Sequence, residues 1–164
     1  MSITVVRGDI TIQPVDAIVT AGNSALRGGS GVNGAVHRAA GPRLLQASRA
    51  LAPCPPGGAV LTPAFDLAPV RWVIHAVGPV YTGPQDADTL MSAYTAALAR
   101  ADEVGARSVA FPSISTRVYG YPGGDAAMLS VEALLKADTQ VETVLLVAFS
   151  DDMADMWDYA LHGG

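Results

Sequence analysis

The residue types best suited to chemistry in this 164-residue chain are concentrated in one ten-residue stretch, from Gly28 to His37. The stretch contains four glycines, a serine, an asparagine and a terminal histidine. Glycines at this density let the backbone adopt positive φ angles and bring its N–H groups close to a ligand. A run of such amides that leads into a helix is typical of an anion site, most often for phosphate. The alternative interpretation is a flexible surface loop.

The charges around this stretch also favour an anion. Neither Asp nor Glu occurs between Asp16 and Asp66. Four arginines fall within the same interval: Arg27, Arg38, Arg43 and Arg49. A positive local field suits a phosphate even on a chain whose formal net charge is -5. That net charge argues against direct nucleic-acid binding by a basic face, and each arginine taken singly is better explained as solvating a helix face.

A second polar stretch, Ser113–Tyr119, follows a predicted buried strand. Its hydroxyl residues, Ser113, Ser115 and Thr116, lack the G-x-S-x-G frame of a hydrolase nucleophile. We therefore interpret them as hydrogen-bond donors to a phosphate or a ribose. Tyr119, and Phe149 further along the chain, could stack on a sugar or a base, although core packing is the commoner role of an aromatic residue.

Residues 29–34 formally satisfy the dinucleotide-binding pattern G-x-G-x-x-G. That pattern should follow its strand directly, whereas residues 20–27 intervene here. The acidic residue expected about twenty positions further on is also missing. A nicotinamide-dependent dehydrogenase is therefore disfavoured. A P-loop is excluded because the chain contains no Gly-Lys-Ser/Thr sequence.

Metal and thiol chemistry find little support in the sequence. The three histidines are far apart and lack the spacing of metal ligands, so we expect no metal site and no cofactor. The single cysteine, Cys54, excludes an internal disulfide framework. His75 lies in an apolar strand and is interpreted as a core residue. His37 comes one helical turn after Asn33, which predicts that both face the same way and leaves open whether His37 lines the ligand site.

The hydrophobic pattern predicts the elements that position these residues. Strands are expected at 3–6, 15–19, 59–62, 72–77, 108–111 and 144–149, and helices at 34–40, from 42 onward, at 86–105, at 123–137 and after Ser150. This alternation predicts one α/β domain over residues 1–164, with a covered sheet. Ligands of such sheets lie at the C-terminal ends of the strands. We therefore expect the site on the loops after Val19, Phe111 and Phe149, with Asp9 beside them.

Composition sets the remaining limits. Hydrophobic residues make up 50% of the chain and charged residues 15%, so disorder is not expected. No signal-peptide pattern and no long apolar run is present, so we expect a soluble, cytoplasmic protein that does not bind membranes.

Taken in order, the polar segments of the chain resemble a macro domain. Gly8–Thr11, Val15–Ser24 and Gly28–Pro42 carry the first half of the resemblance, and Ile74–Pro79 and Phe111–Pro122 continue it. The combination is highly specific and covers nearly the whole chain. The chain is most similar to the MacroD-type branch. Its members bind ADP-ribose and hydrolyse it from modified acidic side chains, and some deacetylate O-acetyl-ADP-ribose.

The resemblance implies a three-layer α/β/α fold around a central, mixed six-stranded sheet. It implies that Asp9 accepts a hydrogen bond from the adenine N6 group, with Ile10 beside the base and Phe149 packed on it. The loops 29–32 and 115–119 would wrap the diphosphate with their backbone amides.

The resemblance also implies that Asn23 bonds the distal ribose and that Tyr119 packs against it. The implied catalytic residues are Asn23, Asn33 and His37. The implied ligand-binding residues are Asp9, Ile10, Ala21, Asn23, Gly29, Ser30, Gly31, Val32, Ser113, Ser115, Thr116, Arg117, Val118, Tyr119 and Phe149.

Three positions depart from the family pattern. Thr20 stands where the family's V-N-A-A-N segment has its first asparagine, and we expect altered loop stiffness more than lost binding. Arg117 replaces the glycine after Ser-Thr, so its side chain must point away from the diphosphate or contact it. Asn33 replaces the aspartate of G-V-D-G, which positions or activates the attacking water. A neutral amide cannot accept a proton from that water, and losing such a base typically costs about 10²–10⁴-fold in rate.

Two functions from different classes remain open on these grounds. One is hydrolysis of ADP-ribose from mono-ADP-ribosylated proteins, or of O-acetyl-ADP-ribose, by attack of water at the distal ribose. In that case the ligand's own phosphate would have to act as the base. The other is a non-catalytic ADP-ribose reader, favoured by Asn33. A weaker third possibility is a nucleotide-binding fold that has lost its ligand. ADP-ribose or an ADP-ribosylated protein is the expected partner, and the chain is expected to be a monomer.

Overall fold

The structure, a computed structural model, describes residues 1–163, which contain six strands and five helices. The strands are β1 (Ser2–Arg7), β2 (Ala17–Ala21), β3 (Ala59–Pro63), β4 (Trp72–Ala76), β5 (Ser108–Phe111) and β6 (Thr143–Ala148). The helices are α1 (Gly31–Ala40), α2 (Pro42–Arg49), α3 (Ala87–Glu103), α4 (Gly123–Lys136) and α5 (Asp151–His162). Short 3-10 turns at Ile10–Ile12 and Pro84–Asp86 precede β2 and α3.

All six strands form one sheet in the order β1-β6-β5-β2-β4-β3. The first five strands in this order are parallel, and β3 alone pairs antiparallel, with β4. The α/β class and the mixed six-stranded sheet are therefore confirmed.

Alternate residues of each central strand enter the hydrophobic cores on the two faces of the sheet. In β2, Ala17 and Val19 belong to the core beneath α3, α4 and α5, whereas Ile18 belongs to the core beneath α1 and α2. Leu90, Tyr94 and Leu98 of α3, spaced four residues apart, are fully buried in the first of these cores. Helices thus cover both faces, which confirms the three-layer α/β/α arrangement.

The helix boundaries differ from the predictions at two N-termini. Helix α1 begins at Gly31, directly after Ser30 and three residues earlier than expected, and Gly31 itself has a φ angle of 62°, a left-handed value that glycine accommodates. Residues 84–86 form a separate 3-10 turn before α3, where a continuous helix from residue 86 was expected. The predicted stop at Gly41 and restart with Pro42 at the first position of α2 are confirmed.

Because five strands are parallel, their C-terminal ends meet at one edge of the sheet. The segments that follow β1, β6, β5, β2 and β4 therefore converge there, as in other open α/β sheets. No helix within residues 1–163 combines the length and the apolar character needed to cross a membrane.

Candidate functional site

A cleft of about 720 Å³ opens at this edge of the sheet. Its volume is in the range typical of sites for small molecules and cofactors. Three segments that carry predicted site residues line it: the segment after β2, the first loop (residues 28–33) and the second loop (residues 113–119). The end of β6 and the start of α5 complete the wall.

Fourteen of the seventeen predicted site residues line this cleft. They are Ala21, Asn23, Gly29, Ser30, Gly31, Val32, Asn33, Ser113, Ser115, Thr116, Arg117, Val118, Tyr119 and Phe149. The structure thus brings together residues that are separated by up to 128 positions in the sequence, because three different parallel strands deliver them to the same edge.

The first loop presents unused backbone donors to the cleft. Among residues 1–163, no backbone N–H from Gly28 to Asn33 donates a hydrogen bond to another part of the protein. Three of these groups, from Gly31 onward, belong to the first turn of α1, where N–H groups have no partner inside the helix. Ser30 is the N-cap, but its side chain makes no capping bond. The first loop is therefore a concentration of free amides at the positive end of a helix dipole.

Gly34 fixes the path of the first loop. A Cβ atom at residue 34 would overlap the carbonyl oxygen of Gly29, so the loop folds back directly onto the helix. This close approach holds the free amides over the cleft.

The second loop supplies another set of unused amides. Within the described chain, the backbone N–H groups from Ser115 to Tyr119 donate to no other residue. Ser115 adopts a φ angle of 69°, a left-handed conformation that is uncommon for residues other than glycine. Its carbonyl accepts a bond from the N–H of Tyr121, and the carbonyl of Tyr119 accepts one from the N–H of Tyr81. The carbonyls thus bond to the protein and the N–H groups stay available.

Tyr94 of α3 anchors the start of the second loop. Its hydroxyl accepts a 3.0 Å hydrogen bond from the N–H of Ile114. Burial raises the pKa of Tyr94, so this hydroxyl stays protonated. The hydroxyl of Ser115, interpreted above as a donor to a ligand, is instead buried and without a partner among residues 1–163, whereas that of Thr116 bonds to Ser113 at 2.9 Å.

Asn33 is held at both ends of its side-chain amide. Its Nδ2 donates to the carbonyl of Arg27 at 3.2 Å, and its Oδ1 accepts from the hydroxyl of Thr20 at 2.9 Å. The Arg27 carbonyl can only accept, which fixes the orientation of the amide. The second N–H of Nδ2 remains for the cleft, so Asn33, only 8% exposed, offers a donor there.

Asn23 also bonds the backbone of Arg27, at its N–H rather than its carbonyl. Its Oδ1 accepts from the N–H of Arg27 at 3.2 Å, which leaves Nδ2 as a donor at the cleft. The chain contains only these two asparagines, and both clamp the backbone of Arg27. Thr20, at the end of β2 and fully buried, belongs to the same network and was not among the predicted site residues.

Arg117 and Phe149 meet at the cleft mouth. The guanidinium carbon of Arg117 lies 4.5 Å from the centre of the Phe149 ring, a cation–π contact. Phe149 is 58% exposed, so it does not have the core role that is commoner for an aromatic side chain. The structure answers the question that the sequence left open for Arg117, because its guanidinium points across the cleft rather than away from it.

Three predicted residues do not line the cleft. His37 is half-buried on α1 with its ring centre 6.1 Å from that of His75 in β4, the register partner of the Thr20 that Asn33 bonds, so it faces the sheet as Asn33 does but does not line the cleft. Its Nδ1 has no partner within residues 1–163, and burial lowers its pKa.

Asp9 and Ile10 lie beyond Phe149, at the end of the neighbouring strand β1. Ile10 is 4% exposed and packs in the core under α1, because it opens the 3-10 turn toward the sheet. Asp9 is the N-cap of that turn, and its Oδ1 accepts from the N–H and the hydroxyl of Thr11 at 2.9 and 2.7 Å. Its Oδ2 makes no hydrogen bond within the described residues. The predicted contact of Asp9 with adenine stays a prediction.

His75 has the core position expected from the sequence. Its Nε2 lies 2.9 Å from the hydroxyl of Thr62 on the adjacent strand. Burial, with a smaller effect of His37, lowers the pKa of His75 to about 3. His75 is therefore a neutral hydrogen-bonding residue near pH 7. No group of three or more His, Cys, Asp or Glu side chains in residues 1–163 is placed to hold a metal ion.

The start of α5 contributes lining residues that sequence reasoning missed. Asp152, Met153 and Met156 face the cleft, and Ser150 caps the helix by accepting from the N–H of Met153 at 3.2 Å. A helix after Ser150 was predicted, and the spacing of the two methionines by one helical turn was the available signal for the lining face. The other missed lining residues are Gly22, Gly78, Pro112, Ile114, Gly123 and Val147.

Comparison with known proteins identifies the class to which this fold and its cleft belong. The family model described as Macro domain matches residues 19–130. The chain belongs to the macro domain family.

Individual relatives extend the match over nearly the full length. A macro domain-containing protein of Streptomyces nogalater is 49% identical over 161 residues, which cover 94% of this chain and 88% of the relative. A protein named O-acetyl-ADP-ribose deacetylase from Klebsiella pneumoniae is 48% identical over 162 residues, covering 93% of this chain and 92% of the relative.

Solved structures agree with the fold. A mutant macrodomain of Oceanobacillus iheyensis, determined with ADPR, superimposes with a TM-score of 0.90 at 36% identity and covers 96% of this chain and 90% of its own. The Trypanosoma brucei macrodomain in complex with ADP-ribose gives a TM-score of 0.88 at 34% identity, covering 97% of this chain and 68% of its own.

Proposed function

We propose that this protein binds ADP-ribose in the cleft and hydrolyses it from mono-ADP-ribosylated proteins or from O-acetyl-ADP-ribose. The observation that carries the proposal is the two sets of unused backbone N–H groups, Gly28–Asn33 and Ser115–Tyr119, on loops that line one cleft. Two converging sets of amides suit a diphosphate, which has acceptor oxygens on both phosphorus atoms. The named activity of the Klebsiella pneumoniae relative and the ADP-ribose in the structural neighbours support the same ligand.

The side chains beside the loops suit the distal ribose. Asn23 lines the cleft and its oxygen is occupied by the N–H of Arg27, so its unpaired Nδ2 is the group that can donate to a ribose hydroxyl. Tyr119, half-buried in the wall, supplies an apolar face for the sugar.

The reaction consumes one water. For a protein ester, water adds its oxygen to the anomeric carbon, and the bond from that carbon to the carboxylate oxygen breaks. For O-acetyl-ADP-ribose, water adds its oxygen to the acetyl carbonyl carbon, and the bond from that carbon to the ribose oxygen breaks, which gives acetate and ADP-ribose. Asn33 can hold the water with its remaining N–H, but it cannot take a proton from it. The proton therefore goes to a phosphate oxygen of the ligand, and we expect turnover about 10²–10⁴-fold slower than with a side-chain base.

A release assay tests this proposal. The protein is incubated with O-acetyl-ADP-ribose and with a protein mono-ADP-ribosylated on aspartate or glutamate, and free ADP-ribose is quantified by chromatography. We expect slow release by the wild type and a reduction of about tenfold or more in Asn23→Ala, because one hydrogen bond to the ribose is lost. Gln46→Ala, which removes an exposed amide on α2, is the matched control and should release ADP-ribose at the wild-type rate.

The second candidate, a non-catalytic reader, is favoured by one observation: Asn33 presents a donor and no base to the cleft. A reader would bind ADP-ribose and release none from either substrate, even at stoichiometric enzyme, which would overturn the hydrolase proposal. In Asn33→Asp a carboxylate replaces the amide. This variant should raise any trace of release if the rest of the site is competent.

A further inference from the structure

The side chain of Arg117 extends from the second loop to two other walls of the cleft. Its guanidinium carbon lies 4.5 Å from the centre of the Phe149 ring, which follows β6. The same carbon lies 4.0 Å from the position that a Cβ atom of residue 31 would take. The guanidinium is therefore placed between Phe149 and the N-terminal end of α1, where the free amides of the first loop are.

Glycine at position 31 makes room for this arrangement. A side chain longer than a methyl group at this position would compete with the guanidinium for space. The φ angle of 62° also disfavours other residues there. Arg117 thus occupies space that the first loop leaves open.

The charge of Arg117 is uncompensated at the site. Among the described residues that line the cleft, Arg117 is the only lysine or arginine, and Asp152 is the only acid. Within residues 1–163, Arg117 forms neither an ion pair nor a side-chain hydrogen bond, whereas Arg7, Arg43, Arg100 and Arg107 are each paired with an acid. A free guanidinium next to two sets of free amides is suited to a bidentate contact with a phosphate.

We propose that Arg117 is a specificity-determining residue, which transfers its guanidinium from the ring of Phe149 to the diphosphate when ADP-ribose binds. This inference rests on the proposed ligand and deepens it. In the free protein the guanidinium covers one face of Phe149. A ligand with a diphosphate offers the guanidinium a stronger partner and frees that face for the adenine base.

The exchange predicts selection against ligands that lack phosphate. Adenosine would have to displace the guanidinium from Phe149 without offering it an anion. The same residue would therefore strengthen the binding of ADP-ribose and weaken that of adenosine. A side chain that served only to pack the loop would affect both ligands in the same direction.

The test compares two ligands in three variants. Dissociation constants for ADP-ribose, by calorimetry, and for adenosine, by NMR titration, are measured for the wild type, Arg117→Met and Arg117→Lys, at low and high ionic strength. Methionine keeps most of the side-chain length without the charge. Arg49→Met is the matched control, because Arg49 is exposed at the end of α2 and away from the cleft.

We expect Arg117→Met to weaken ADP-ribose binding by about tenfold or more and to tighten adenosine binding, whereas an unchanged adenosine affinity would contradict the transfer from Phe149. ADP-ribose binding should also depend less on salt in Arg117→Met than in the wild type, because this variant lacks a charge that salt screens. The ADP-ribose affinity of Arg117→Lys should lie between those of the wild type and Arg117→Met, since lysine keeps the charge but lacks the planar guanidinium. Arg49→Met should match the wild type.

Equal effects of Arg117→Met on both ligands, or no effect on either, would overturn this inference while the wild-type protein still binds ADP-ribose. If the wild type itself does not bind ADP-ribose, the proposed function is overturned together with it. The two failures are therefore distinguishable in one data set.

Discussion

Asn33 occupies a predicted catalytic position, yet its side chain makes hydrogen bonds that hold the fold together. Its amide bonds Thr20 on β2 and the backbone of Arg27 in the preceding loop. Two departures from the family pattern, Thr20 and Asn33, therefore touch each other and form one unit. Sequence comparison treated them as separate substitutions, because nothing in the spacing of residues 20 and 33 reveals a contact between a strand and a helix.

Replacing Thr20 by valine tests this pair. Valine has nearly the shape of threonine but cannot donate, so the buried Oδ1 of Asn33 loses its partner. The free energy of unfolding should fall by about 1–3 kcal/mol. Denaturant unfolding measures this, with Thr4→Val on the exposed side of β1 as the control, expected to change stability by less than about 0.5 kcal/mol. Equal stability of the two variants would show that the Thr20–Asn33 bond does not contribute.

His75 connects two strands of the sheet, because its side-chain hydrogen bond to Thr62 joins β4 to β3. Its pKa in the folded protein is about 3, well below its ordinary value of 6.5. Between these two pH values the unfolded chain binds a proton that the folded chain does not. The folded state is therefore favoured above pH 6.5 and loses stability as the pH falls toward 3. The lowered pKa of His37 acts in the same direction.

Urea unfolding between about pH 4.5 and pH 7.5 measures this effect. The free energy of unfolding should rise with pH in this range, and the contribution of His75 to that slope should approach about 1.4 kcal/mol per pH unit. His75→Gln, which can still bond Thr62, should flatten the slope, whereas His162→Gln on the exposed end of α5 should not. Parallel pH profiles of the two variants would contradict the assignment.

At the scale of elements, the first loop and α1 together form the part of the cleft that we propose binds the diphosphate. The sequence predicted the loop from its glycines but placed the start of the helix three residues late. From their residue types, Ser30 and Gly31 were assigned to the loop. The close packing of Gly29 on Gly34 depends on the three-dimensional path of the loop, which the sequence pattern does not show. Helical spacing likewise left open whether His37 lines the cleft, because it does not say how far along the helix the cleft extends.

Gly34→Ala tests the role of this packing. The added methyl group overlaps the carbonyl of Gly29 and must displace the first loop. We expect ADP-ribose affinity to fall by about tenfold or more, together with thermal stability. Gly124→Ala on α4 is the matched control, since a Cβ atom there meets nothing within 4 Å. It should keep the affinity and raise stability by about 0.5–1 kcal/mol. Equal affinities of the two variants would contradict the account.

At the scale of the whole molecule, the parallel sheet explains why distant segments form one site. The rule that ligands bind at the C-terminal ends of strands predicted the loops after β2, β5 and β6. The sequence could not give the order of the strands, which places β1 beside β6 and β5 beside β2. The face of α5 with Met153 and Met156 was missed for another reason: the loop after Phe149 was expected at the site, but the sequence does not show that the first turns of the following helix also line the cleft.

The central claim is that the free amides of the two loops bind the diphosphate of ADP-ribose, and a calorimetric titration of the wild-type protein with ADP-ribose tests it most directly. The account predicts saturable binding of one ADP-ribose per chain of 16.8 kDa, with an affinity that falls in Gly34→Ala and is kept in Gly124→Ala. The absence of binding at millimolar ADP-ribose would contradict it.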